Sequence, residues 1–415
     1  MTPPANTVIW QNWSIVMSNE ISSSQVVTPM RVLLFAFCCA ALTANLYYMQ
    51  PLTALLASSF AVPLTWAGYL VTSIQFGYVI GVIFIVPLSD VLDRRRLLAE
   101  MLACNVASLL LASVSHTFLL FAVASLCIGV SSSAVMVLLA TVASYAPEKV
   151  RGKYLGTVMT GLLLGILLAR TVAGFVVQWA GSWRAMYLIA AGVVSCLLAV
   201  LWMQLPTEER RSGIRYRALL ASLLQLVKDE PLLRQRALFS ALGLGTFSVL
   251  WTSLTFLLSG APYHYSESKI GLFGLAGAAG AMAASGAGRF ADRGYTFTAT
   301  WTLAIATLGA WGFILAGSHS LAALLIGIVI LDIGVMGLQV THQSVIYRLA
   351  PQARGRVTTV FIASGFIGAS LGSSLASIAF AMHGWLLTCV VGATLPALLV
   401  GIWLNQGRRE ALSSS

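Results

Sequence analysis

The chain has 415 residues, of which 58% are hydrophobic and only 9% charged, where a soluble domain carries about 25% charged residues. So little polar surface cannot face water, so lipid is the expected solvent. This excludes a soluble enzyme, and the formal net charge of +11 is not read as a nucleic-acid signal, because the bases are scattered along the chain between apolar stretches.

Residues 1–30 are polar, with Glu20 their one charge, and lack the basic start of a signal peptide; a disordered tail is expected. Twelve apolar stretches follow, each near the roughly 20 residues that cross a bilayer. Six of them, 32–58, 68–90, 97–114, 117–141, 153–177 and 184–204, make a first half over 31–204. The first contains Asn45, Tyr47, Tyr48 and Gln50 just before Pro51, where a local break would expose carbonyls. The fourth carries Ser131, Ser132 and Ser133, hydroxyls that face a cavity or bond back to their own helix. Residues 205–236 begin Pro206-Thr207-Glu208-Glu209 and become basic and partly amphipathic, as for a linker with a short helix on the membrane surface. The stretches 237–260, 270–289, 297–317, 320–346, 357–380 and 385–405 make a second half over 237–405, and 406–415 form a tail. The six cysteines all fall within apolar stretches without metal-ligand spacing, so free thiols are expected and neither disulfides nor a metal.

The 24 Lys and Arg residues crowd alternate connections; only Arg170, Arg184 and Lys269 depart from that set. The positive-inside bias then places both termini and the 205–236 linker in the cytoplasm. Three landmarks recur at nearly one offset. Asp90 with Arg94 recurs as Asp292 with Arg293, 202 residues on; Ala146-Pro147 with Arg151 recurs as Ala350-Pro351 with Arg354; Gly-Ser-Trp183 recurs as His-Gly-Trp385. Two homologous halves build a pathway between them in many transporters. The paired loops, Asp90 with Arg94 and Asp292 with Arg293, are expected to hold a cytoplasmic gate, as an ion pair across the halves or a helix cap.

Nearly all of the 13 acidic residues lie in tails, loops or span edges; Asp332 alone lies deep in a span, as Arg170 does among the bases. A charge at mid-bilayer costs about 2.5–3.5 kcal/mol on insertion scales, so such groups serve a pathway or pair with each other. Asp332 heads a polar stripe with Gln339 and His342 or Gln343 at helical steps.

Two six-span halves, the long central linker, and Gly288-x3-Asp292-Arg293 with its partial copy at Asp90, Arg94 and Arg95 resemble the major facilitator superfamily over about residues 31–405. Asn45 to Pro51, Leu168 to Thr171 and Leu331 to Gly334 resemble bacterial drug and sugar efflux permeases within it. The fifth span is similar to the superfamily's antiporter signature, with Gly156, Gly165 and Gly174 kept and Arg170 where that pattern has proline. The resemblance implies twelve transmembrane helices in two pseudo-symmetric bundles, no enzyme activity, no cofactor, and a functional monomer in the bacterial inner membrane. It implies alternating access, with spans 1, 4, 7 and 10 lining the cavity. Asn45, Tyr47, Gln50, Gln339 and His342 are then the expected substrate contacts, and Asp332 with Arg170 the proton-coupling pair. The function implied is proton-coupled efflux of a drug-like or sugar-like small molecule. The alternatives are a cation-coupled uptake symporter and a membrane sensor that moves nothing.

Overall fold

The computed structural model of the protein describes residues 28–205, 216–277, 296–349 and 354–413, and every regular element among them is helical. Helix α1, Pro29–Ala44, starts on Thr28, whose hydroxyl accepts the Arg31 N–H, and has proline in its first turn. The expected break at Gln50–Pro51 is present. The chain leaves the helix at residue 45, makes a 3₁₀ turn over Gln50–Leu52 and resumes as α2, Thr53–Ser59. Helix α3, Leu64–Ile80, runs on as a π turn and a 3₁₀ turn to Asp90 around Pro87, whose missing N–H cannot continue the regular ladder. Then come α4, Arg94–Ser113, capped by Asp93; α5, Phe118–Ser132, capped by Thr117; α6, Ala134–Tyr145; α7, Arg151–Ala180; and α8, Trp183–Gln204, capped by Ser182.

Within the 205–236 segment lies α9, Tyr216–Asp229, the expected amphipathic helix. Helix α10, Pro231–Ser259, begins earlier than hydropathy indicates. Arg234, Gln235 and Arg236 interrupt the apolar run, but Pro231 opens the helix and Arg234 Nη1 reaches back to the Val227 carbonyl at 2.9 Å, closing the end of α9. Helix α11 is described over 267–277; α12, Thr296–Ala316, α13, Leu321–Leu349, and α14, Arg354–Ser413, complete the chain.

Among the described residues, nine helical segments are long and apolar enough to cross a membrane. The last, 52 residues from Arg354 to Asn405, would be roughly 78 Å long as one straight helix, far more than a bilayer core of about 30 Å. It is divided at His383 and Gly384, which leave helical geometry. Gly181 and Gly384 both adopt left-handed backbone, φ 67° and 62°, two residues and one residue before Trp183 and Trp385, so the repeated landmark turns the chain at matching places. Most of the stretch 270–289 lies outside the described residues, as do Asp292 and Arg293.

Small residues set the helix contacts, as expected where lipid removes any hydrophobic drive between helices. A Cβ on Gly129 of α5 would lie 2.0 Å from the Ile74 carbonyl of α3, and one on Gly368 of α14 would lie 2.0 Å from the Ala241 carbonyl of α10. At one end of the bundle the Trp183 indole donates to Ser59 Oγ at 3.0 Å and Arg184 Nη2 to the Ser115 carbonyl at 2.9 Å. The second half closes the same end, with Tyr263 donating to the Gly317 carbonyl and Trp385 to that of Ile314. This is called the Trp183 face; the opposite one, with Asp90, is the Asp90 face. The two halves meet along α3–α14 and α7–α11.

Candidate functional site

Arg170 and Asp332 come together at the junction of the halves. Arg170 is on α7 and Asp332 on α13, and they are 2% and 3% exposed. They do not form a direct ion pair; Trp251 of α10 contacts both. The guanidinium lies 3.7 Å from the Trp251 ring centroid, and the indole N–H donates to Asp332 Oδ1 at 3.3 Å. The positive group is thus held on the aromatic face and the negative group on the polar edge of one ring. Tyr47 and Phe247 add two more rings at 5.0 and 5.7 Å from the guanidinium. Gly277 completes the layer, since a Cβ there would lie 2.4 Å from Asp332 Oδ2 and 2.8 Å from the Trp251 ring.

Gln50 belongs to the same cluster. Its Oε1 accepts from Arg170 Nε at 2.6 Å. Its carbonyl, in the non-α-helical stretch 45–52, accepts from Thr53 at 3.2 Å and from Thr255 of α10 at 2.7 Å. Gln50 Nε2 and Arg170 Nη2 are buried without hydrogen-bond partners. On the other side of this layer, toward the Asp90 face, Leu163, Ile166, Leu167, Phe247 and Met336 join Arg170, Gly277 and Asp332 around a void of about 10 Å³, room for about one water. On the Trp183 side of the layer the halves are closed: Thr171 donates to the Gly271 carbonyl at 2.9 Å, and a Cβ on Gly174 would lie 2.5 Å from the Glu267 carbonyl.

Of the other expected cavity residues, Tyr47 faces this cluster, whereas Asn45 turns into the first half. Its Nδ2 donates to Asn105 Oδ1 at 2.8 Å, and Asn105 donates to Ser131 at 2.9 Å and Ser132 at 3.2 Å. Residue 45 lies beyond the end of α1, so helical spacing from Thr43 no longer fixes its direction. His342 and Gln339 turn into the second half. Gln339 exchanges two bonds with Ser240, and His342 Nδ1 is 3.1 Å from Arg236 Nη1. Guanidinium only donates, so Nδ1 accepts and the imidazole is the neutral tautomer with its proton on Nε2. Ten residues at about 100° each carry His342 roughly 80° around α13 from Asp332, off the shared face.

The sequence reading missed Trp251, Thr255 and a second cross-half cluster. Gln75 of α3 donates to Ser248 of α10 at 2.9 Å and accepts from Ser373 of α14 at 3.2 Å, while Thr72 is 2.7 Å from Ser373 and 3.0 Å from Ser374. The signal was present: Gln75 is a lone amide in an apolar stretch, and Thr246, Ser248, Thr252, Ser253 and Thr255 crowd the middle of α10. On the Asp90 face, Asp90 and Arg94 are 4.0 Å apart, and Arg94 also donates to the Ser89 carbonyl at 3.3 Å; the second copy of this motif is outside the described residues.

Comparison with known proteins places these features in a family. The sequence profile of the Major Facilitator Superfamily matches residues 33–373. The chain is 38% identical to the uncharacterized transporter YgaY of Escherichia coli O157:H7, over 92% of this chain and 97% of that protein. It is 24% identical to a "Probable sugar efflux transporter" of Helicobacter pylori strain G27, over 92% and 96% respectively. Its fold is similar to that of a bacterial homolog of the human lysosomal transporter Spinster in an inward-facing, occupied conformation, with a TM-score of 0.69, 13% identity, and 92% and 98% of the two chains covered.

Proposed function

The chain belongs to the major facilitator superfamily as a multi-pass membrane transporter of small molecules, and on that premise we propose that it is a proton-coupled exporter of a sugar-like or drug-like solute. In this reading it has twelve spans, lies in a bacterial inner membrane with both termini cytoplasmic, and works as a monomer. Asp332 carries the proton, and Arg170 is the charge that drives it off. The observation that carries the reading is the placement of the deep carboxylate. Asp332 is buried at the junction of the halves, one indole away from a buried guanidinium and on the wall of the central void. A carboxylate there can trade a proton for a bound solute as access alternates, since it meets both sides in turn. On this reading Asp90 with Arg94, and their repeat Asp292 with Arg293, form the cytoplasmic gate.

The direction of transport rests on the sugar efflux name of the Helicobacter pylori relative and on the resemblance of short segments to efflux permeases. Everted vesicles test it. A panel of sugars and amphipathic drugs is added to vesicles with an imposed pH gradient, and an exporter's solute should collapse that gradient. With that solute, Asp332→Asn protein in proteoliposomes should still exchange solute downhill but lose transport driven by the gradient. Coupled flux equal to the unmodified protein would remove Asp332 from the proton path.

A further inference from the structure

We infer that Gln50 is a positioning residue, tying the charge state of Asp332 to closure of the Trp183 face through Thr255. The inference rests on the proton reading of Asp332 and adds the route by which a proton there is felt elsewhere. Five buried groups form one unbroken chain of four contacts. The Trp251 indole bonds Asp332; Arg170 lies 3.7 Å over that indole; Arg170 Nε bonds Gln50 Oε1 at 2.6 Å; and the Gln50 carbonyl takes the Thr255 hydroxyl at 2.7 Å. The last link crosses the halves, because Gln50 lies in the first and Thr255 in the second. Gln50 and Thr255 are 2% and 1% exposed, so water does not compete for these bonds.

The local chain conformation makes the link responsive. Residues 45–52 are not α-helical, so the Gln50 carbonyl is free to bond outside its own helix and can shift without breaking a ladder. When Asp332 is ionised, its charge pulls the guanidinium against Trp251. When Asp332 is neutral, that pull is gone and Arg170 keeps only Gln50, the Ile166 carbonyl and the ring faces as partners. The guanidinium then shifts toward its remaining acceptors, and Gln50 moves with it. The carbonyl that Thr255 holds is part of the same residue, so the contact between the halves moves too. The unpartnered Gln50 Nε2 adds no competing anchor.

The test uses the purified full chain in nanodiscs, with the proton itself as the probe. Spin labels on Trp66 of α3 and Met382 of α14, both exposed, report the opening of the Trp183 face, and their separation is followed across pH. Thr255→Val keeps the shape and removes the hydroxyl. It should abolish the pH response of the separation while leaving downhill exchange in place, and Thr255→Ser should restore the response. Gln50→Met cuts the chain one link earlier and should likewise abolish the pH response of the separation if the valine variant does not fold. A role in packing alone would lower thermal stability but leave the pH profile where it was. Two outcomes count against the inference in different ways. If Asp332→Asn keeps the pH response, the proton reading fails and this route with it. If Asp332→Asn loses the response but Thr255→Val and Gln50→Met keep it, the proton reading stands and only the route through Gln50 is wrong.

Discussion

Arg170 and Asp332 show how a membrane interior accommodates two opposite charges without letting them touch. A direct buried pair would hold each group tightly and resist any change of charge. Contact with the Trp251 ring gives each a partner while the two charges stay close enough to attract without pairing directly. The two should therefore be coupled, by about 1 kcal/mol, within the range for residues in one network. A thermal-stability cycle checks this. Arg170→Met combined with Asp332→Asn should be more stable than the two single losses added, because the double variant leaves no lone charge behind. Additive losses would mean that Trp251 insulates the two groups. Trp251→Phe should keep the cation over a ring but strip Asp332 of its indole donor, costing about 1–3 kcal/mol for the lost buried partner.

At the scale of the helix, close approach depends on what a glycine faces. The signature glycines of α7 are not equivalent: Gly165 lies against the Ala40 carbonyl, where a Cβ would come within 2.4 Å, whereas Gly156 has nothing within 4 Å. Gly156→Ala should therefore be neutral or stabilising by up to about 1 kcal/mol through helix propensity. Gly129→Ala should destabilise by about 1–3 kcal/mol, since α3 and α5 must separate to admit the methyl. Melting of the purified variants in one detergent decides it, and equal melting temperatures would mean that α3 and α5 yield without cost. The break in α1 belongs to the same scale. Residues 45–52 leave the α-helical ladder around Pro51, and the Gln50 carbonyl there takes a hydroxyl from the other half.

At the scale of the molecule, one apolar core runs across both halves, and a few polar contacts between the halves are set within it. Gln75 is the centre of one such junction, bonding to α10 and α14 at once. Intramembrane hydrogen bonds are worth about 0.6 kcal/mol each and at most about 1.7. Losing the Gln75 bonds in Gln75→Leu should then shift the balance between closed and open by about 1–2 kcal/mol, roughly 5- to 30-fold. The label pair on Trp66 and Met382 should show a larger open population at every pH, without loss of the pH response. An unchanged distance distribution would assign the closure to helix packing alone.

The amino-acid sequence by itself determined the solvent, the two-fold repeat, the family and the two deep charges. Each of these is one-dimensional: apolar run length, a fixed offset near 202 residues, and the isolation of Arg170 and Asp332 in apolar surroundings. It also located the break at Gln50–Pro51, because proline's missing N–H acts on its own chain. Only the tertiary structure decided which polar residues share a site. Tyr47 and Gln50 join Arg170, while Asn45 is taken by Asn105 and His342 by Arg236. Helical spacing says which residues lie on one face of one helix, but a transport site is made by faces of several helices. Which neighbour each face meets is set by packing across the whole bundle, and that brought Trp251 into contact with two charges lying 162 positions apart in the chain.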